Sequence, residues 1–385
     1  MSASGTSPNA PRVLIATASV GAGHNAVARA IAAGLAELPN RPKVEVLDVL
    51  TLAPWSFRVY YAKGFAFAVT RLPMFYGLGY RMTNHPQGPR LGLMERRRLW
   101  HERIAMKKFR RYMRNLRPDI VVHTHFLAPP ILSNMADRGR FSAPQFVTVT
   151  DHDQHRFWLA GGVKRWFLPS DVGLEKLARW GIDRDTITVS GMPIHPKWLK
   201  ETDCDKILAD WRLPADKKVV VLSGGTEFTC GPVVKTARRI LQLCPEISLV
   251  VLGGRNKKLL GQLGKLASEV DGLFPVSFTD RIDELVRVSS LMVTKAGGIT
   301  TAECLAVGAP MVLPKPVPGQ EADNATYFQN NGAAVVTRRY SDVPSEVRRL
   351  LDDPGALGRL GDNARKLFRP GTATVVEAIR EELGI

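Results

Sequence analysis

The sequence predicts an α/β protein built from doubly wound domains, and three observations carry that expectation. Arg12–Thr17 suits a buried parallel strand, and it runs into a glycine turn, an amphipathic helix and a second strand at Lys43–Asp48. The same order of strand and glycine loop returns past residue 215: Lys218–Leu222 before Ser223-Gly224-Gly225-Thr226, Leu249–Leu252 before Gly253-Gly254-Arg255-Asn256, and Leu291–Thr294 before Gly297-Gly298. Between the two sets, Gly191-Met192-Pro193-Ile194-His195-Pro196 reads as a linker stiffened by two prolines. A chain of 385 residues suits two or three domains.

Taken in order, the first ten residues lack the apolar content of a core and are expected to be disordered. The glycine turn after the first strand is Ser19-Val20-Gly21-Ala22-Gly23-His24, and the helix that follows places Val27, Ile31, Leu35 and Leu38 on one face. His24 is unusual there, because a phosphate-binding loop wants small residues. Read from the residues alone, it is a cap for the turn. Asn25 is a second cap candidate. Gly21-x-Gly23-x-x-Ala26 followed by Asp48 also fits a dinucleotide fingerprint, so an NAD-dependent enzyme is a rival.

Leu52–Tyr80 then packs nine aromatics among Arg58, Lys63 and Arg71 without an acid, which fits an interfacial segment or a helix packed on the sheet. Net charge is +17, and the window from Val49 to Pro118 holds fifteen Lys or Arg against only Glu95 and Glu102. Such a stretch favours a polyanion, nucleic acid or an anionic membrane surface. The interleaved aromatics favour the membrane, so Arg90–Arg117 and Trp55–Tyr80 are expected to meet anionic lipid and no nucleic acid is expected.

Pro118–His125 is a strand with polar residues, His125 among them, at the end where α/β ligands bind. Phe146–Thr150 and Arg165–Ser170 are further strands, and Asp151 and His155 follow the first of them. In the C-terminal half, Gly224, Gly225 and Thr226 suit an anion-binding nest. Thr300 is expected to cap a helix that ends at Gly308, with Glu303 three residues on, and a Pro-rich loop carries Gln320, Glu321 and Asn324. That helix N-terminus can seat a phosphate and Glu303 can take two ribose hydroxyls; the alternative is a capping box and nothing more.

Composition narrows the classes. With 45% hydrophobic and 23% charged residues there is material for packed cores. No 18-residue apolar run or signal peptide is legible, so neither a membrane span nor export is expected. The cysteines at 204, 230, 244 and 304 have no C-x-x-C spacing and no His company, which fits buried thiols in a reduced, cytoplasmic chain. No metal site is expected.

The motifs KAGGxTxAE at 295–303, GxP at 308–310 and PGQExxN at 318–324 resemble the donor-site signature of family 28 glycosyltransferases. With GxGH at 21–24, TDxxxHxxW at 150–158 and LGGRN at 252–256, the chain is most similar to the diacylglycerol glycosyltransferase and monogalactosyldiacylglycerol synthase branch. The resemblance implies a GT-B fold, two Rossmann-like doubly wound domains facing a cleft. It implies a tail at 1–10, an acceptor and membrane-binding domain at 11–192, a UDP-sugar domain at 193–370 and a helix at 371–385 packing back toward the first domain.

By the same resemblance, His24 is the general base with Asp151 as its rival, and Gly21, Gly23, His125 and His155 lie on the acceptor side. Gly224, Gly225, Thr226, Arg255, Asn256, Phe278, Gly297, Gly298, Thr300, Glu303, Gln320, Glu321 and Asn324 lie on the donor side, with Phe278 in the loop that walls the uracil. The implied reaction is inverting transfer of a hexose from a UDP-sugar to diacylglycerol or a related lipid, without cofactor or metal, on the inner face of the membrane. N-acetylglucosamine transfer to another lipid-linked acceptor uses the same donor half and stands as the alternative.

Overall fold

A computed structural model of the protein describes residues 10–84, 92–223 and 231–385. The chain divides into two compact units, Met1–Pro196 with Arg369–Ile385, and Lys197–Phe368.

The first unit is built on a parallel sheet of β1 (Arg12–Thr17), β2 (Lys43–Asp48), β3 (Ile120–His123), β4 (Gln145–Thr148), β5 (Arg165–Leu168) and β6 (Ile187–Val189), in the order β2-β1-β3-β4-β5-β6. Apolar runs such as Val13–Ala16 and Ile120–Val122 make central strands because both faces of the sheet are covered by helices. One part of the core gathers Leu14, Val121, Phe109, Met113 and Ile131, and another gathers Val147, Trp158, Trp166, Leu177 and Trp180. The winding direction reverses between β1 and β3, so the loops leaving those two strands open a crevice, the position where ligands bind in such sheets.

The helix Gly23–Ala36 buries Val27, Ile31 and Leu35 as its periodicity predicts. On the same helix, a Cβ at Gly34 would lie 2.7 Å from Thr372 Cγ2, and that absent methyl lets the last helix, Gly371–Leu383, seat against it. Thr372 also donates to the carbonyl of Ile194 at 2.6 Å. Met192 and Ile194 are each 3% exposed, so Gly191–Ile194 is packed chain rather than a free linker. Gly191 needs its glycine twice over: φ is +82°, and a Cβ would meet the Arg369 carbonyl at 2.5 Å.

The aromatic stretch is helical: Trp55–Arg58, a π-turn at Val59–Lys63, then Gly64–Arg71 and Pro73–Thr83. The helices Leu93–Ala105 and Lys107–Leu116 follow. Trp55, Tyr60, Phe67, Met74, Phe75, Leu78, Met82, Leu93, Met94 and Trp100 are all more than half exposed. No helix among the described residues is long and apolar enough to cross a membrane.

The second unit repeats the plan with β7 (Val219–Ser223), β8 (Ser248–Gly254), β9 (Leu273–Ser277), β10 (Ser289–Thr294), β11 (Met311–Pro314) and β12 (Ala334–Thr337), ordered β12-β11-β10-β7-β8-β9 and parallel throughout. Val220, Val251, Val293 and Val312 from its central strands pack with Ile240, Leu263, Val347 and Leu350 from the covering helices. Its reversal falls between β7 and β10. Of the cysteines among the described residues, Cys244 and Cys304 are buried, but Cys204 is exposed at a helix start rather than in the core.

Candidate active site

In the first unit the crevice at the reversal point is organised by His24. Gly21 takes φ +80°, a turn open to glycine, and brings His24 into the first turn of its helix. The side chain does not cap the turn. Its Nδ1 lies 2.7 Å from the carbonyl oxygen of Thr124, across the crevice at the end of β3, and 3.1 Å from Thr150 Oγ1 at the end of β4. A carbonyl only accepts, so Nδ1 carries the proton and Nε2 keeps its lone pair. Thr124 Oγ1 donates back to the His24 carbonyl at 3.1 Å, which fixes the pairing from both sides. Although the residue keeps some exposure, burial of the ring lowers its pKa from 6.5 to about 4, partly opposed by the Thr124 bond. The imidazole is therefore neutral at pH 7.

His125 stands beside it, with ring centroids 4.5 Å apart and the rings nearly perpendicular. Its Nδ1 accepts from Leu127 N at 3.0 Å, so Nε2 bears the proton, and that atom is buried without a hydrogen-bond partner among the described residues. Burial, then the neighbouring His24 and Arg98, hold its pKa well below 6.5.

Asp151 is buried and accepts the Trp158 indole N–H at 2.9 Å; the Trp158 ring lies 6.3 Å from that of His24. Its carboxylate thus shapes the wall of the crevice through Trp158. His155 has both ring nitrogens engaged: Nδ1 accepts from Phe157 N at 3.1 Å, and Nε2 lies 3.2 Å from the Tyr80 carbonyl and 3.1 Å from Thr83 Oγ1. It pins the end of the aromatic helix Pro73–Thr83 to the crevice. The Arg156–Glu95 ion pair, 3.0 Å and nearly dry, pins the start of the next helix.

Asp48 is also committed, accepting from Ser19 N at 3.2 Å and Leu50 N at 3.0 Å. A dinucleotide fingerprint needs that carboxylate for a ribose, and here it closes the loop instead. Asn25 bonds Thr17 and Ser19 rather than capping its helix.

Burying five neutral histidines, His24, His123, His125, His152 and His155, has a pH consequence. Each has a folded pKa depressed below 6.5, so below that value the unfolded chain binds more protons and stability falls with pH. Each contributes a slope of about 1.4 kcal/mol per pH unit between pH 6.5 and its own folded value. Urea melts at pH 7, 6 and 5 are expected to show steadily lower midpoints. Equal midpoints at all three would mean that these rings are not neutral and buried in the folded state.

In the second unit, the helix Gly298–Val307 leaves β10 through Lys295–Gly297. Thr300 was expected to cap it, but the cap position is Gly297, with no side-chain bond, and Thr300 lies inside the first turn. The helix starts with backbone N–H groups that no side chain caps, a seat for an anion. Glu303, one turn further in, is not the partner in a capping box. It takes a hydrogen bond from the Trp198 side chain, and burial raises its pKa to about 8 against the pull of that bond and of Lys197.

Gln320, Glu321 and Asn324 sit on the first turns of a helix, Gln320–Asn330, rather than in the expected loop. Asn324 is buried and donates to the Ala296 carbonyl at 3.0 Å, tying this helix to the glycine turn, while Glu321 pairs with Lys295 at 3.1 Å. The two helix starts are thus held together at the C-terminal ends of β10 and β11. Arg255 lies 4.1 Å over the ring of Phe278, which joins the loops after β8 and β9. Asn256 instead caps the helix Lys257–Ala267, accepting from Leu259 N at 3.0 Å. Gly224, Gly225 and Thr226, expected to cradle phosphate, lie outside the described residues.

Two members of these sites had no signal in the sequence: the Thr124 carbonyl fixes the His24 tautomer and Trp198 holds Glu303, each from about a hundred residues away. Thr150 and Trp158 belong to the TDxxxHxxW motif, but only the structure shows their bonds to His24 and Asp151.

Two parallel doubly wound units of this kind make a GT-B glycosyltransferase fold. Acinetobacter baumannii MurG aligns over 96% of this chain and 99% of its own with a TM-score of 0.61 at 16% identity. A Staphylococcus aureus MnaA–UDP co-structure aligns over 97% of each chain at 0.65 and 13% identity. Residues 24–194 match the Monogalactosyldiacylglycerol (MGDG) synthase family, and residues 219–355 match the glycosyltransferase family 28 C-terminal domain.

Proteins named processive diacylglycerol beta-glucosyltransferase are similar across most of the chain. The one from Bacillus thuringiensis is 32% identical over 74% of this chain and 73% of its own length. The one from Bacillus licheniformis is 30% identical over 71% of each. This chain belongs to the diacylglycerol glycosyltransferase branch of the family 28 glycosyltransferases.

Proposed function

We propose that this enzyme transfers a hexose from a UDP-sugar to the hydroxyl of diacylglycerol or a closely related membrane lipid, with inversion at the anomeric carbon and His24 as general base. The observation that carries the proposal is the His24 tautomer: with Nδ1–H given to the Thr124 carbonyl, the Nε2 lone pair is available to a hydroxyl. The lipid hydroxyl gives its proton to Nε2 as its oxygen bonds to the anomeric carbon. The bond from that carbon to the β-phosphate oxygen breaks, and UDP leaves with the electron pair. His125, through its unpaired Nε2–H, orients the acceptor, whereas Asp151 and His155 hold the walls around it.

On the donor side, the open start of the helix at Gly297 and Gly298 receives the diphosphate and Glu303 the ribose, with Gln320 and Glu321 toward the hexose and Arg255 with Phe278 at the nucleobase end. The uncapped helix start, with Arg255, supplies the positive electrostatics that stabilise departing diphosphate. The UDP in the S. aureus MnaA co-structure and the names of the Bacillus relatives support the donor and acceptor classes. Calorimetric titration with UDP, followed by transfer from labelled UDP-glucose and UDP-galactose to diacylglycerol in vesicles, tests the proposal. Absence of UDP binding, or UDP binding without transfer to any lipid hydroxyl, would sink it.

The exposed apolar side chains between Trp55 and Trp100, interleaved with cations, form the surface that meets the membrane at its inner, anionic face. Each large side chain that enters the lipid contributes on the order of 1.5 kcal/mol or more. The triple variant Trp55→Ser, Met74→Ser, Phe75→Ser is therefore expected to lose at least about tenfold in vesicle partitioning while binding UDP normally. Unchanged co-sedimentation would move the membrane contact elsewhere.

A further inference from the structure

The catalytic crevice does not account for a group of cations on the helix layer of the first unit. The helix Lys107–Leu116 buries Phe109 and Met113 and turns Lys107, Arg110 and Arg114 away from the core. The helix Pro129–Ala136 ends against it, and the turn that follows, made possible by Gly139 at φ +64°, brings up Arg138 and Arg140. These five cations and Asn134 line one concavity of about 170 Å³.

None of the five forms an ion pair among the described residues, although the protein pairs many of its other surface cations. Nearby acids do not answer them: Glu102 is engaged by Arg98, and Asp137 is an exposed residue of the turn itself. The Nε atoms of Arg103 and Arg110 are buried without partners. Burial, followed by repulsion from Arg138 and Arg110, holds the pKa of Arg103 below its usual value.

A helix C-terminus attracts one or two basic residues through its dipole. Five cations around a hollow, with Arg103 strained by two of them, exceed what that dipole explains. Arginine forks in this arrangement match the oxygens of a phosphate, and the concavity has room for the group with its waters.

We propose that this concavity is a phosphate-binding pocket, separate from the UDP-sugar site, which takes the phosphate of a phosphomonoester or phosphodiester. The pocket goes beyond a general attraction to anionic surfaces, because Arg138 and Arg140 come from outside the basic stretch and meet it only in the folded unit.

Two charge-matched double variants test this: Arg110→Gln with Arg138→Gln in the pocket, and Arg96→Gln with Arg97→Gln on the exposed face of the preceding helix. Urea melts followed by circular dichroism show that the first unit of each variant is folded. Glycerol 3-phosphate is then titrated against each protein, and co-sedimentation is measured with phosphatidylcholine vesicles with and without phosphatidate.

The pocket pair is expected to weaken glycerol 3-phosphate binding by about tenfold or more, the control pair by much less. If the source is lipid, the pocket pair also loses the preference for phosphatidate vesicles while apolar partitioning persists. If the source is a free phosphate compound, soluble binding is lost and vesicle preference is unchanged; either result supports the pocket. Equal losses in the two pairs, or no glycerol 3-phosphate binding by the unaltered protein together with equal vesicle binding, would overturn it in favour of a diffuse basic surface.

Discussion

Replacing His24 with Ala is expected to lower kcat on the order of 10²- to 10⁴-fold, the range for loss of a positioned general base, and to leave UDP affinity unchanged. The separation follows from placement: His24 belongs to the first unit and Glu303 with its helix to the second. Because burial holds the imidazole near pKa 4, it is already neutral at pH 6. The pH–rate profile should therefore have no acid limb at the usual histidine value of 6.5, and the lower limb should fall toward 4. Thr150→Val, which removes an oxygen beside Nδ1 and leaves the Thr124 carbonyl, should cost far less than His24→Ala. A His24→Ala enzyme with undiminished kcat would pass the role of base to Asp151. An acid limb at 6.5 would mean that the ring is more solvated than its packing indicates.

Replacing Glu303 with Gln is expected to weaken UDP binding roughly 10- to 100-fold, since a charged acceptor of two hydroxyl hydrogen bonds is worth about 1.5–3 kcal/mol. Its raised pKa adds a pH signature. With the carboxyl at about 8, most of the unliganded protein is protonated at pH 7, and only the carboxylate accepts from both ribose hydroxyls. UDP affinity should therefore rise with pH through 8 and level off above it. In Glu303→Gln the rise should be absent. Calorimetry between pH 7 and 9 measures both effects, and Glu303→Gln corrects for the titration of UDP itself. If Glu303→Gln binds UDP as tightly as the unaltered protein, the side chain serves only its bond with Trp198.

The architecture was legible because it depends on local patterns. β-Branched runs ending in glycine turns, and a helix with Val27, Ile31 and Leu35 on one face, specify strand, turn and helix without reference to the rest of the chain. Motif order was equally legible, and it carried the family. What failed were assignments in which a local polar pattern has two outcomes of similar energy. Thr300 three residues before Glu303 fits a capping box, yet Gly297 reaches the cap position first and Glu303 goes to Trp198, about a hundred residues away. Gln320 and Glu321 followed prolines and read as loop, but a helix starts at Gln320 once Gly319 takes φ +102°.

His24, Glu303, the two glycine turns and the alternation of strand and helix were determined by the sequence itself, since residue type and spacing decide which groups can accept a proton, approach a phosphate or build a parallel sheet. The tertiary structure alone decided what each polar group is free to do. Thr124, a hundred residues from His24, selects its tautomer; Trp158 takes up Asp151; Tyr80 and Phe157 occupy both nitrogens of His155; and Ser19 and Leu50 occupy Asp48. The physical reason is that a buried polar group must find a partner. For His24, and for His155 through Tyr80, it comes from a segment distant along the chain. Phe157, Trp158 and Leu50 instead answer from within a few residues, once their loops take the folded shape.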